Sequence, residues 1–158
     1  MANTQSMVTS FLGELMTATH NFGTAPTRGA STADTFKAAL YLTTATINAA
    51  TTAYSATGEV TGTNYTAGGV TVTNATPPAA TNSSATAGVG YWTPSASITY
   101  TTVTLATAFD CVLIYNSTQS NKAVSVHTFG SQTITAGTFT LTMPSNTTTT
   151  ALLRLSTT

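Results

Sequence analysis

Apolar residues recur at every second position along most of this chain, and the exception stands at its start. Val8, Phe11, Leu12, Leu15 and Met16 fall at i, i+3, i+4, i+7 and i+8. At 3.6 residues per turn this spacing makes one apolar stripe and predicts a short amphipathic helix. Ser6 is the candidate N-cap, although no Glu or Gln follows three residues later to complete a capping box. Gly13 weakens the helix interior, and Asn21 to Gly23 is where the helix should end. Residues 23–33, rich in Gly, Thr, Ala and Pro, read as a loop.

From Asp34 the period becomes two. Phe36, Ala38, Leu40 and Leu42 alternate with Lys37, Ala39, Tyr41 and Thr43, which predicts a half-buried strand. Residues 47–54 fit neither period. Residues 59–65 and 70–73 predict two more strands on either side of the turn Ala67-Gly68-Gly69. Residues 76–90 hold two prolines and no large side chain, so they predict an exposed loop. Tyr91-Trp92-Thr93 then leads through Pro94 into a strand over 97–105, and 109–115 is apolar on both faces except at Asp110, as a central strand is. Further strands follow over 123–129, 133–135, 139–143 and 152–155, separated by turns at 116–121, Gly130-Ser131 and Ala136-Gly137. Many short strands with turns about every 8 to 12 residues predict a mainly β protein, an antiparallel β-sandwich or jelly roll. One domain is expected over 1–158, with residues 1–33 as a helical arm and loop and 34–158 as the sandwich. No fixed internal period points to a β-solenoid.

Composition sharpens this picture. The chain of 158 residues carries 41 Thr and 14 Ser, and Thr is β-branched and suited to a pleated surface. Charged residues make up only 5% against about a quarter in ordinary domains, and they balance to zero. Lys37, Lys122, Arg28 and Arg154 are scattered, which excludes the phosphate-neutralising patch that nucleic-acid binding requires. With no net charge to keep copies apart, the composition favours a protein that lives in an assembly. No apolar run reaches the roughly 20 residues of a membrane span, and the first residues lack the form of a signal peptide. Cys111, the single cysteine, lies in the apolar run FDCVLIY and reads as a buried, inert thiol.

Residues able to do chemistry are few. His20 and His127 stand more than a hundred positions apart and no carboxylates cluster, so neither a metal nor a cofactor is expected. No phosphate-binding loop and no Gly-x-Ser-x-Gly elbow occurs. Asp110, His127 and one of many serines are the sharpest hydrolase candidate, and Glu14, Asp34, Glu59 and Asp110 the only source of a carboxylate pair. Neither constellation has the local sequence that such sites need, so no catalytic residue is assigned and the chain is expected not to be an enzyme. Two groups remain as contact candidates. Phe11, Leu12, Leu15 and Met16 either cover the sheet or dock on a partner. Tyr91 and Trp92 either pack over the core edge or offer a flat aromatic surface to a sugar or a base.

Several blocks carry a resemblance: MANTQSMVTSFLGELMTATHNFG at the start, then DTFKAALYL, AATTAYSATGEVTGTNYTAGG, FDCVLIYNST, NKAVSVHTFG and TAGTFTLTMP. In style the chain resembles small virion structural proteins of tailed bacteriophages, and in size and β content it is similar to head decoration (cement) proteins. That resemblance implies a homodimer or homotrimer on the outer capsid surface, with the major capsid protein as partner and no membrane or nucleic acid. It also implies synthesis in the host cytoplasm. A tail or fibre component and a carbohydrate-binding β-sandwich module, the latter using Tyr65, Tyr91, Trp92 and Asn116, are the alternatives.

Overall fold

A computed structural model describes residues 3–16, 19–22, 33–75, 78–81 and 88–156, apart from the side chains of Thr9, Leu12 and Met16. Its spine is one long antiparallel hairpin. Strand β6 (Ile98–Asn116, 19 residues) turns through 117–121 into β7 (Lys122–Leu141, 20 residues). Ser120 and Asn121 take the left-handed backbone, at φ 52° and 59°, that lets the turn close. Near this turn the hairpin is buried on both faces, from Phe109 to Asn116 on β6 and Ala123 to Val126 on β7, apart from half-buried Asp110. Farther out only one face stays covered and the other carries exposed Thr99, Thr101, Thr133, Thr135, Thr138 and Thr140.

The remaining strands flank this hairpin or form a second, smaller sheet. Strand β2 (Phe36–Leu42) pairs with β6 on one side, and the two-residue β1 (Ser6–Met7) pairs with β7 on the other. With β3 (Val70–Thr71) the sheet order is β1-β7-β6-β2-β3. The smaller sheet, ordered β4-β5-β8, contains β4 (Ala79–Ala80), β5 (Val89–Trp92) and β8 (Leu153–Ser156). The protein is therefore mainly β, with two antiparallel sheets. Among the described residues the sole helix is the eight-residue α1 (Thr9–Met16).

Several sequence expectations are corrected by these pairings. Ser6 lies in β1 and bonds back to Thr4 O, so it is not an N-cap, and the helix stops at Met16, before Asn21. Gly130-Ser131 and Ala136-Gly137 do not end strands. Both lie inside β7, where register shifts against β6 and a left-handed Ala136 (φ 47°) absorb them as bulges. The strands expected over 97–105 and 109–115 are likewise one strand. Residues 59–65 form only isolated bridges, Tyr41 with Glu59 and Thr63 with Thr104. The expected loop over 76–90 contains β4 and the start of β5, while 76–77 and 82–87 lie outside the described residues. Strand β2 is buried on both faces, Ala39 and Tyr41 included, because residues 43–69 fold over what would otherwise be its outer face.

That covering excursion is held by one carboxylate. Glu59 is 7% exposed, and its oxygens accept hydrogen bonds from Tyr54 OH (2.6 Å), Tyr65 OH (2.7 Å) and the Gly68 amide (2.8 Å). Burial, reinforced by the bonds to Glu59, pushes both phenols well above their ordinary range, so they stay protonated and donate. The rings stack in turn on the hairpin, Tyr54 on Tyr115 at 4.7 Å and Tyr65 on Tyr100 at 5.9 Å. Gly69 completes the turn at φ 70°, where an added Cβ would stand 1.7 Å from Ala38 O, so no other residue fits. Cys111 is fully buried, and burial raises its thiol to about 12, which leaves it inert as expected.

Removing the Glu59 carboxylate strands three donors at once, the buried Gly68 amide and two half-buried phenols. Glu59→Ala should lower unfolding free energy in urea by about 3–5 kcal/mol, and Glu59→Gln by less, because its amide oxygen still accepts while its NH2 group meets a donor. A loss below about 1 kcal/mol for Glu59→Ala would show that the excursion is held by other means.

Candidate docking site

The two contact groups singled out in the sequence, far apart in the chain, meet in one cleft. Phe11 and Leu15 of α1 face Tyr91 and Trp92 of β5 across an apolar cavity of about 160 Å³, with Leu153 and Leu155 of β8 on its rim. The side chains of Leu12 and Met16, predicted in the same stripe, lie outside the described residues. The cavity has a local cause. In the β5–β8 register Trp92 stands opposite Leu153 and Gly90 opposite Leu155, so these four share one face. Gly90 contributes no side chain there, and an added Cβ would meet nothing within 4 Å. Leu155 is 42% exposed, enough to mark it as the one large apolar side chain turned to solvent among the described residues.

Beneath the cleft an aromatic stack joins the two sheets. Phe22 lies 4.4 Å from Phe36 and 4.7 Å from Trp92, and Phe11 meets Phe22 edge-on at 5.9 Å. Trp92 is 3% exposed, so its ring is a wall of the cleft and not an open stacking surface. Tyr65 and Asn116, the other residues expected of a sugar site, are engaged elsewhere, Tyr65 on Glu59 and Asn116 in the polar chain described next.

A line of polar groups holds the helical arm against the hairpin turn. Asn116 Oδ1 accepts from the amides of Thr118 and Gln119, both at 3.1 Å, which orients its Nδ2 toward Asp34 Oδ2 (2.7 Å) and His20 Nδ1 (3.0 Å). His20 Nδ1 is therefore an acceptor, and its Nε2–H donates to Glu14 Oε2 at 2.7 Å. Lys122 Nζ completes the line on Glu14 Oε1 at 2.6 Å. Partial burial opposes ionisation of Glu14, but the bonds from Lys122 and His20 outweigh it and hold the carboxyl below its usual range. Three of the eight charged residues are thus spent on orienting α1 and Phe22.

The hydrolase constellation is not assembled. Asp110 accepts from Asn3 Nδ2 at 2.5 Å, while His127 Nε2 meets the hydroxyl of Ser125 at 2.9 Å, two residues along the same strand. Ser125 is fully buried, and burial lowers His127 to about 4, which leaves it a poor base. Among the described residues no group of three His, Cys, Asp or Glu side chains could hold a metal ion. No helix among them is long and apolar enough to cross a membrane.

Comparison with protein-family models, with curated proteins and with solved structures finds no match. The cleft therefore rests on its own geometry. Sequence reasoning singled out Phe11, Leu15, Tyr91 and Trp92 but passed over Phe22, Leu153 and Leu155. The Leu153–Leu155 alternation carried the signal for the last two, whereas Phe22 looked like part of a helix end.

His127 links stability to acid. Its folded value lies below the unfolded 6.5, so it contributes no loss above pH 6.5; stability falls as pH drops through that value and levels off below about 4. Between pH 7 and pH 4.5 the wild-type chain should lose about 1–3 kcal/mol more in urea unfolding than His127→Gln. Equal losses in the two proteins would contradict the assignment.

Proposed function

We propose that this chain is a non-enzymatic virion structural protein of a tailed bacteriophage. In this reading it is a decoration (cement) protein that lies on the outer capsid surface and stabilises the head. Its partners are the major capsid protein and further copies of itself as a dimer or trimer. It is made in the host cytoplasm and resides in the virion. The two sheets, joined through Trp92, Phe22 and Phe36, would then act as halves of a sandwich-like body.

One observation carries the reading: Phe11, Leu15, Tyr91 and Trp92 converge on an apolar cleft beside exposed Leu155, on a protein with almost no charge to spend on recognition. An apolar pocket at the surface suits the insertion of a side chain from a neighbouring protein. The exposed threonines of the outer hairpin add hydroxyls that bond across a wet interface without the desolvation cost of buried ions. Weak contacts repeated at symmetric positions on a shell sum by avidity. A tail or fibre component is the second reading, favoured by the reach of the β6–β7 hairpin, whose outer half is covered on one face only.

Filling the cleft separates docking from folding. Gly90→Val should leave the fold intact or stabilise it by about 0.5–1 kcal/mol, since Gly weakens a strand and no described atom blocks a Cβ there. Co-sedimentation with phage heads lacking the protein should show at least tenfold weaker binding for Gly90→Val than for wild type. Heads that carry the wild-type chain should also survive heat longer than bare heads. The reading fails if wild type does not bind heads, if bound heads are no more resistant, or if Gly90→Val binds equally well.

A further inference from the structure

The outer edge of β7 is paired for only part of its length. β1 covers it at Ser125 and Val126, and Val8 donates to Val124 O. Past these positions, no described strand or loop pairs with the backbone of residues 129–141 on the side away from β6. Gly130 O accepts from the side chain of Gln132 within the same strand. Natural sheets guard such an edge with charge, proline or bulges. This stretch, FGSQTITAGTFTL, contains no charge and no proline and is guarded by its bulges alone.

The same stretch is two-fold symmetric in kind. About a point between Ala136 and Gly137, Thr135 mirrors Thr138, Ile134 mirrors Phe139, and Thr133 mirrors Thr140. The folded environment follows the mirror: the four threonines are exposed, and Ile134 and Phe139 are half-buried on the core side. The bulge marked by Ala136 (φ 47°) makes this possible, because it shifts the alternation by one residue, so that positions five apart face the same way. An edge with this pattern is complementary to itself under a two-fold rotation, which is the requirement of an isologous contact.

We propose that the occupant of this edge is a second copy of the chain. The two β7 strands run antiparallel about a two-fold axis between Ala136 and Gly137. Thr133 then faces Thr140 of the partner subunit, Ile134 faces Phe139, and Thr135 faces Thr138. Threonine pairs and aromatic–β-branched pairs are favourable cross-strand neighbours, and no like charges meet. Roughly ten residues a side, at about 3.3 Å each, make a contact about 33 Å long and one strand wide. A single-strand contact of this kind belongs among weak interfaces and suits a dimer reinforced where copies are crowded. The inference rests on the assembly reading above, for which it names one interface, and it uses a surface separate from the cleft.

The register supplies its own test. The double variant T133K/T140K sets the cation introduced at position 133 opposite the one at position 140 of the other copy, twice in the dimer. Within one copy the two substituted positions stay seven residues apart. T133E/T140K alters the same exposed positions but sets opposite charges face to face. Sedimentation of the whole chain up to about 1 mM should show a reversible wild-type dimer, at least tenfold weakened in T133K/T140K and as tight or tighter in T133E/T140K. Hydrogen exchange should slow within residues 129–141 as concentration rises. A wild type that stays monomeric, or two double variants with the same affinity, overturns the inference. Head binding by a monomeric wild type would leave the assembly reading standing, whereas a dimer that ignores heads would remove that reading and keep this one.

Discussion

The pairing of β6 with β7 is the interaction on which every other part of this structure depends. The hairpin gives β1 and β2 their partners, and its turn anchors the polar line from Lys122 to Asp34. Its length is what a threonine-rich, nearly uncharged sequence supports. Thr fits a pleated surface on either face, so strands can run past the buried region into solvent without a change of composition. Bulges at positions such as Ala136 let two strands of this length stay in contact while their registers drift.

Charge is concentrated on folding. Glu59 holds the excursion between β2 and β3, Glu14 and Lys122 hold the helical arm, and Asp34 bonds the buried Asn116. A carboxylate taken out of water is costly unless its lone pairs are filled, and buried Glu59 and Asp34 and half-buried Glu14 are each filled by named donors. Little charge remains for the outer surface, which offers shape, apolar contact and hydroxyl groups instead. The cleft between α1 and β5 and the outer edge of β7 are the places where those features are concentrated.

Much of this was legible in the sequence. Period-two alternation located the material of β2, β6, β7 and β8, and the Ala67-Gly68-Gly69 turn lies where the glycines adopt positive φ. Gly130-Ser131 misled because a glycine signals a turn only when no strand opposite carries the chain onward, and that strand comes from elsewhere in the sequence. Residues 59–65 misled for a related reason. Their β-forming composition is real, but Glu59 and Tyr65 bond inward to fixed donors and acceptors and do not join a ladder. The cleft was half legible. Its aromatic and helical walls were each marked, yet their meeting depends on the Gly90–Leu155 register and on Phe22 bridging two sheets, which no local pattern encodes.

A reconstruction of phage heads incubated with the purified chain tests the central claim most directly, that this protein acts by lying against neighbours. The account predicts ordered density at symmetry-related positions on the outer shell, with the Gly90–Leu155 face of the small sheet turned toward the capsid. Heads left bare at saturating protein, or a bound chain that keeps this face in solvent, would contradict it.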